Sequence, residues 1–352
     1  MKEKSPSDIK LAGILKDPKL VKKVQALVRA GKVNENVDLA EQMIATVLKL
    51  NEEDVDRGDL KILNTTLKEL RFAFRVFRPY RHIQKVTIFG SARILPDDSV
   101  FKLAKKFAQV MAETGWMVIT GASTGIMHAG NEGAGRALSF GANIRLPMEQ
   151  SVNPVIEGDK KLINFKYFFA RKLIFVKESD AICLFPGGFG TLDESFEALT
   201  LIQTGKTPLK PIVLLDDSKT KYWSSWLRFV RESLLKFGLI SPEDFHLFQI
   251  AKSAEEARDI ILQFYRSYHS MRFVGDQLVI RLRHPLTKKN IAKLNKEFKD
   301  ILKKGKIEPS GPLAVEANDS ETGALPRLVL YFDRRNYGRL KHMVDQINLM
   351  GD

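Results

Sequence analysis

The chain reads as an α/β protein: one parallel sheet covered by helices on both faces, a helical extension before it and a small α+β unit after it. Three observations predict this. Short, near-continuous apolar runs alternate with helical patterns between residues 83 and 270, and strands that are apolar at every position belong to sheets buried on both faces. Three of those runs end in glycine-rich turns, the strand ends at which such sheets bind ligands. The flanks on either side carry a different periodicity. The expected organisation is residues 1–80 as a helical extension, 81–271 as the catalytic α/β domain and 272–352 as a small α+β domain.

Taken in order, Leu39, Met43, Ile44, Val47 and Leu48 form one amphipathic stripe, and Leu60, Ile62, Leu63, Leu67, Leu70, Phe74 and Phe77 form another that stops at Pro79. Nothing catalytic stands out there, so packing or oligomerisation is the expected role. Val86-Thr87-Ile88-Phe89 predicts the first strand, ending at Gly90-Ser91. A helix over Val100–Glu113 leads to a strand at Trp116–Thr120. Gly121-Ala122-Ser123-Thr124-Gly125 then opens a helix to Leu138, and Ala142–Leu146 is the expected third strand. A helix around Lys166–Lys177 precedes the strand Ala181–Phe185, and Pro211–Leu215 with a helix over Trp223–Phe237 completes the unit. In the last segment, Gln277–Leu282, Leu313–Glu316 and Leu328–Phe332 read as strands, with helices over Thr287–Leu302 and Tyr337–Leu349. Ala317–Gly323 is expected as a polar loop between the two inner strands.

Composition narrows the function classes. The 352 residues are 44% hydrophobic and 28% charged, as in ordinary globular proteins. No run reaches the roughly 20 apolar residues that span a bilayer, and Met1-Lys2-Glu3-Lys4-Ser5-Pro6 lacks the apolar run of a secretion signal. The single cysteine, Cys183, lies within an apolar strand, so a buried thiol and a cytoplasmic location are expected. The net charge of +14, densest after residue 271, suits anionic substrates. Polynucleotide binding is not expected, because no recognised nucleic-acid motif accompanies the charge. The six histidines have no metal-ligand spacing, so no metal is called.

The chemistry concentrates in Phe185-Pro186-Gly187-Gly188-Phe189-Gly190-Thr191-Leu192-Asp193-Glu194. Glycines at a strand-to-helix turn let backbone N–H groups approach an anion, and the helix N-terminus adds partial positive charge. Glu194 is either an acid–base group or the far half of a capping box with Thr191. Arg171-Lys172 stand on an otherwise apolar helix, either as ordinary basic residues with buried stems or as ligand contacts. The turns Gly90–Arg93, Gly121–Gly125 and Pro186–Thr191 have neither the order of a dinucleotide fingerprint nor the lysine of a P-loop. A mononucleotide site is the remaining expectation.

Pro186–Glu194 matches the Pro-Gly-Gly-x-Gly-Thr-x-x-Glu motif of the LOG ("Lonely guy") family, long labelled lysine decarboxylases, and Arg171-Lys172 matches its upstream Arg-Lys pair. The resemblance covers about residues 83–270, with further likeness at Phe89–Arg93, Thr120–Met127 and Glu197–Gly205. Many members carry three glycines where this chain has Gly121-Ala122-Ser123. The resemblance implies a modified Rossmann domain that cleaves nucleoside 5′-monophosphates, AMP-like or cytokinin ribotides, to free base and ribose 5-phosphate. It implies Arg171 and Glu194 as catalytic residues. Gly187, Gly188, Gly190, Thr191, Lys172, Ser91, Gly121, Thr124 and Gly125 are the implied phosphate and substrate contacts. It also implies a homodimer and no cofactor. A non-catalytic nucleotide or cofactor carrier, of the kind that binds molybdenum cofactor, is the alternative on the same fold.

Overall fold

The computed structural model describes residues 11, 13–33, 35–145, 152–217, 219–316 and 321–350. The residues read as lacking a secretion signal lie outside them, as do Leu146 and most of the expected polar loop, 317–320. The chain forms two compact units, one ending at Lys68 and one beginning at Glu69.

In the first unit, α1 (Pro18–Ala30) is capped by Asp17, whose carboxylate accepts from Lys19 N at 2.8 Å. Val24 of α1 and Ala45 of α2 (Val37–Glu52) are buried with Leu11 and Leu15. The stripe expected on α2 divides: Ile44 and Leu48 pack on this core, whereas Leu39, Met43 and Val47 are exposed. Helix α3 (Arg57–Phe77) runs from this unit into the next.

The second unit holds the expected parallel sheet. Its strands are β1 (Lys85–Phe89), β2 (Met117–Thr120), β3 (Ser139–Ile144), β4 (Leu162–Phe165), β5 (Ala181–Leu184), β6 (Ile212–Leu215) and β7 (Gln249–Ala251), in the order β4-β3-β2-β1-β5-β6-β7. Every adjacent pair is parallel. Helices α4 (Ser99–Glu113), α5 (Ile126–Ala134) and α9 (Ala254–Phe264) cover one face, over Val86, Ile88, Val118 and Cys183. The opposite face packs Phe89, Ile119 and Leu184 against α6 (Phe168–Glu178) and α7 (Phe189–Gln203). Helix α8 (Tyr222–Phe229) continues into a wide π-helical turn at Val230–Leu235 rather than running to Phe237 as one helix. The strand order reverses at β1, and a crevice opens at such a reversal because the flanking connections leave on opposite sides.

The last segment forms an antiparallel sheet of β8 (Tyr268–Val274), β9 (Gln277–Leu282), β10 (Leu302–Ser310) and β11 (Arg327–Phe332), in the order β10-β11-β9-β8. Helices α10 (Lys288–Glu297) and α11 (Tyr337–Met350) accompany it. The strand expected at Leu313–Glu316 is instead a short 3-10 turn, Ala314–Glu316. Its apolar run was misleading because Glu316 turns inward, where its carboxylate takes Arg281 and Arg327. The real edge strand is the lysine-rich β10.

One feature of this segment makes stability depend on pH. His246, in the turn Pro242–Leu247, stacks on His342 of α11 with ring centroids 4.1 Å apart. Arg339 Nη1 lies 3.0 Å from His342 Nδ1. A guanidinium can only donate, so that nitrogen accepts and the ring is neutral. Burial and the Arg339 charge hold both imidazoles below the usual 6.5, and His342 adds to the effect on His246. A depressed imidazole leaves stability intact above 6.5 and erodes it as the pH falls below, where the unfolded chain takes up protons first. The contribution of this pair to the melting temperature should therefore decline from pH 8 to pH 5, so His246→Phe, which keeps an aromatic stack, should gain on wild type over that range. The same difference between variant and wild type at both pH values would contradict the assignment.

Candidate active site

β1 and β5 end level, Phe89 beside Leu184, so the turns that follow lie against each other. Ser91 N donates to Pro186 O at 3.1 Å, and Phe185 N donates to Phe89 O at 2.8 Å. At this point, beside the switch in strand order, a cleft of about 670 Å³ opens. Among the expected site residues, Arg171, Glu194, Gly188, Gly190, Thr191 and Ser91 line it.

The glycine-rich turn divides into two functions. A Cβ on Gly187 would lie 2.1 Å from Thr191 Oγ1 and 3.0 Å from Ser91 N, so this glycine serves the packing of the turn. Its carbonyl accepts from the Tyr222 hydroxyl at 2.6 Å, and Asp216 at the end of β6 fixes the start of α8 by accepting from Tyr222 N at 2.8 Å. A Cβ on Gly188 or Gly190 would meet no atom of the described residues within 4 Å beyond its own helix and chain neighbours. Those two glycines keep space open in the cleft, not in the fold.

Helix α7 begins at Phe189, with Gly188 as an N-cap that supplies no side-chain bond. Thr191 and Glu194 are therefore both inside the helix, and the capping-box reading fails. Leu192 N, bonded to Gly188 O at 3.1 Å, is the first helix N–H with an acceptor in the preceding turn. The N–H groups ahead of it are available to an anion. Gly190→Ala should leave the fold as stable or stabilise it by about 0.5 kcal/mol, since alanine is the better helix former. A methyl projecting into the cleft should raise the KM of a phosphorylated substrate about tenfold, the effect of weakening one hydrogen bond to a charged group. An unchanged KM would remove this turn from the binding site.

Arg171 reaches the cleft from α6. Its guanidinium carbon lies 5.1 Å from the centre of the Phe175 ring and 5.9 Å from that of Phe168. Its Nε is buried without a hydrogen-bond partner among the described residues. Burial pulls the group below its ordinary pKa, against the opposing charge of Glu194. Gly121 makes room for it: a Cβ there would fall 2.9 Å from Arg171 Nη2 and 2.5 Å from Met127 Sδ.

Glu194 faces the same space. Burial raises its carboxyl from 4.5 to about 7, outweighing the nearby positive charges of Lys172 and Arg171, while Glu197 and Asp193 push the same way as burial. Near neutral pH the group is therefore poised between its two forms. That is the condition for a general acid or base.

The remaining expected contacts stand behind the walls. Thr124 Oγ1 donates to Ala92 O at 2.9 Å. Gly125, at φ +62°, would set a Cβ 2.3 Å from Ser91 O. Lys172 does not line the cleft; it pairs with Asp193 at 2.7 Å and Glu197 at 2.9 Å. Ala122, where many LOG proteins have glycine, sits at φ +63°, a left-handed conformation that glycine adopts without strain. Its N–H donates to Thr120 Oγ1 at 3.0 Å and its carbonyl accepts from Asn153 N at 2.9 Å, so its backbone groups face inward.

Residues not singled out from the sequence also line the cleft: Phe89, Arg93, Met127, Phe168, Leu192 and the 94% exposed Phe189. Phe168 lies one helical turn before Arg171 on the same face, so helical spacing could have found it.

Residues 119–261 match the family model described as "possible lysine decarboxylase". A cytokinin riboside 5′-monophosphate phosphoribohydrolase of Arabidopsis thaliana is 40% identical over 86 residues, 24% of this chain and 38% of that one. The protein of the same name from Mycobacterium tuberculosis is 29% identical over 161 residues, 45% of this chain and 83% of that one. The chain thus spans well under half the length of the plant relative. Among solved structures, the molybdenum cofactor binding protein from the phototrophic bacterium Rippkaea orientalis aligns at a TM-score of 0.37 and 26% identity, over 51% of this chain and 94% of that one. Motifs, family match and curated relatives agree: over its central domain this chain resembles the LOG family.

Proposed function

We propose that the protein hydrolyses the N-glycosidic bond of nucleoside 5′-monophosphates, cytokinin ribotides among the candidates, to free base and ribose 5-phosphate. The observation that carries this reading is the convergence, in one cleft, of an uncapped helix N-terminus, a buried guanidinium with an unpartnered Nε and a carboxyl poised near 7. In this reading the 5′-phosphate sits on the N–H groups at the start of α7, with Gly188 and Gly190 keeping the approach open and Ser91 and Thr191 flanking it. The ribose then lies toward Arg171 and Glu194.

Breaking the C1′–N bond builds positive charge on the sugar, which an adjacent carboxylate stabilises. Ionised Glu194 also takes a proton from the attacking water. The water oxygen bonds to C1′, and the base leaves with the electron pair of the broken bond and gains a proton from solvent. Arg171 binds the sugar-phosphate anion and orients Glu194. Remote grip on the phosphate supplies the binding energy that aligns the reacting bond.

The working form we propose is a cytoplasmic homodimer. The exposed Phe168, Phe169 and Leu173 of α6 give it an apolar contact surface beside the site.

A phosphate requirement tests the reading. AMP should be cleaved with a kcat/KM at least about 100-fold above that of adenosine, the value of two or more charge-assisted hydrogen bonds. Equal rates would overturn the assignment of the α7 N-terminus.

A further inference from the structure

Arg171 and Lys172 are neighbours in sequence, yet successive residues of an α-helix point about 100° apart, so they cannot serve one cleft together. Arg171 takes the cleft and Lys172 takes the flank of α7. Its side chain is 15% exposed, and its ammonium lies between Asp193 Oδ2 at 2.7 Å and Glu197 Oε2 at 2.9 Å. Those carboxylates stand immediately before Glu194 and three residues after it on the same helix.

We infer that Lys172 is a positioning residue: its ammonium clamps α6 to α7, aligning Arg171 with Glu194, and its charge offsets the two carboxylates that flank Glu194. This rests on the reading of Glu194 as the reacting carboxylate. The charged groups around Glu194 are Arg171 and Lys172 from α6, Asp193 and Glu197 from α7, and Arg93 on the cleft wall. Without Lys172 the balance around Glu194 shifts from three cations against two anions to two against two. The local bonds also work on Lys172. Burial draws its ammonium down, but the bonds to Asp193 and Glu197 and the charge of Glu194 hold it above the ordinary lysine value, so it stays charged throughout the neutral range.

The same clamp separates two effects that a structural salt bridge would merge. A bridge that merely held two helices together would, when removed, lower the melting temperature and leave the ionisation of Glu194 where it was. A clamp that also offsets charge moves that ionisation upward. Lysine and arginine should be interchangeable for the charge, and glutamine removes it while leaving a polar side chain in place.

The test compares full-length wild type with Lys172→Met, Lys172→Gln and Lys172→Arg, using AMP as substrate across pH 5–9. Removing one adjacent cation should shift the ascending limb of kcat/KM upward by about one pH unit, the usual effect of a single close charge. The loss should fall on kcat with KM little changed, in both Lys172→Met and Lys172→Gln. Lys172→Arg should return the limb to its wild-type position. A limb that stays in place in both neutral variants would overturn the inference, whatever happens to the melting temperature. A second readout does not depend on turnover: carbon-13 NMR titration of labelled glutamate carboxyls, with Glu194 assigned by its loss in Glu194→Gln. If wild type releases no base, the proposed reaction fails. The NMR titration then still decides Lys172, with an upward shift supporting the inference and an unmoved Glu194 resonance overturning it.

Discussion

Glu194→Gln is expected to lower kcat/KM at least about 1,000-fold and, at pH 8, to raise the melting temperature above that of wild type. The two effects share a cause. In the folded protein, burial lifts the carboxyl from 4.5 to about 7, so the native state holds this proton more tightly than the unfolded chain does. A raised carboxyl favours folding fully below 4.5, and the advantage is lost as the pH climbs through 7. Above 7 the native protein carries a buried negative charge whose net effect is destabilising, by about 3 kcal/mol if a pKa unit is worth about 1.4. Glutamine has nearly the same shape and no charge, so the variant escapes that penalty. Its stabilisation should be greatest at pH 8 and small at pH 5. Activity rising along a limb near pH 7 would identify the ionised form as the working one. A variant less stable than wild type at both pH values would show that the carboxylate has a structural partner instead.

Arg171→Met should cost about 100- to 1,000-fold in kcat/KM, again without loss of stability. The guanidinium is desolvated, its Nε has no hydrogen-bond partner among the described residues, and burial already disfavours its charged form. A group held that way favours neither folding nor packing until an anion arrives. Methionine keeps contact with Phe168 and Phe175 and removes the buried charge. Addition of ribose 5-phosphate should raise the melting temperature of wild type and do so less in the variant, because a ligand stabilises only the state that binds it. Arg171→Lys should recover little, since an ammonium lacks the planar fork that grips a phosphate or a vicinal diol. A variant that melts several degrees lower and binds ribose 5-phosphate normally would move Arg171 out of the site.

How far the sequence can be read depends on what each element has to bury. β5 and β6 are buried on both faces and appear in the sequence as unbroken apolar runs, and β1 does so apart from Lys85 and Thr87. Gln277–Leu282 carries the apolar run Leu278-Val279-Ile280 and is found at its expected bounds. β10 was not legible, because an edge strand carrying Lys303, Lys304, Gly305 and Lys306 has no apolar period to read. β7 is three residues long and completes the sheet through its neighbour β6, not through its own pattern.

In the site, the glycine turn, Glu194 and Arg171, which line one cleft, were marked by the motif Pro186–Glu194 and its upstream Arg-Lys pair. What could not be read was where α7 starts, since a glycine at the cap and a glycine at the second helical position look alike in a sequence. That one-turn difference decided whether Glu194 capped a helix or faced a cleft. Burial set its proton affinity, and burial belongs to the fold as a whole.

The central claim is that this cleft cuts a base from a nucleoside 5′-monophosphate. The direct measurement incubates the purified protein with AMP, GMP, CMP, UMP and isopentenyladenosine monophosphate and quantifies free base and ribose 5-phosphate by mass spectrometry. The account predicts that the two products appear in equal amounts from at least one nucleotide, and that neither appears with Glu194→Gln. Nucleotide bound by folded protein with no base released from any of the five would contradict it.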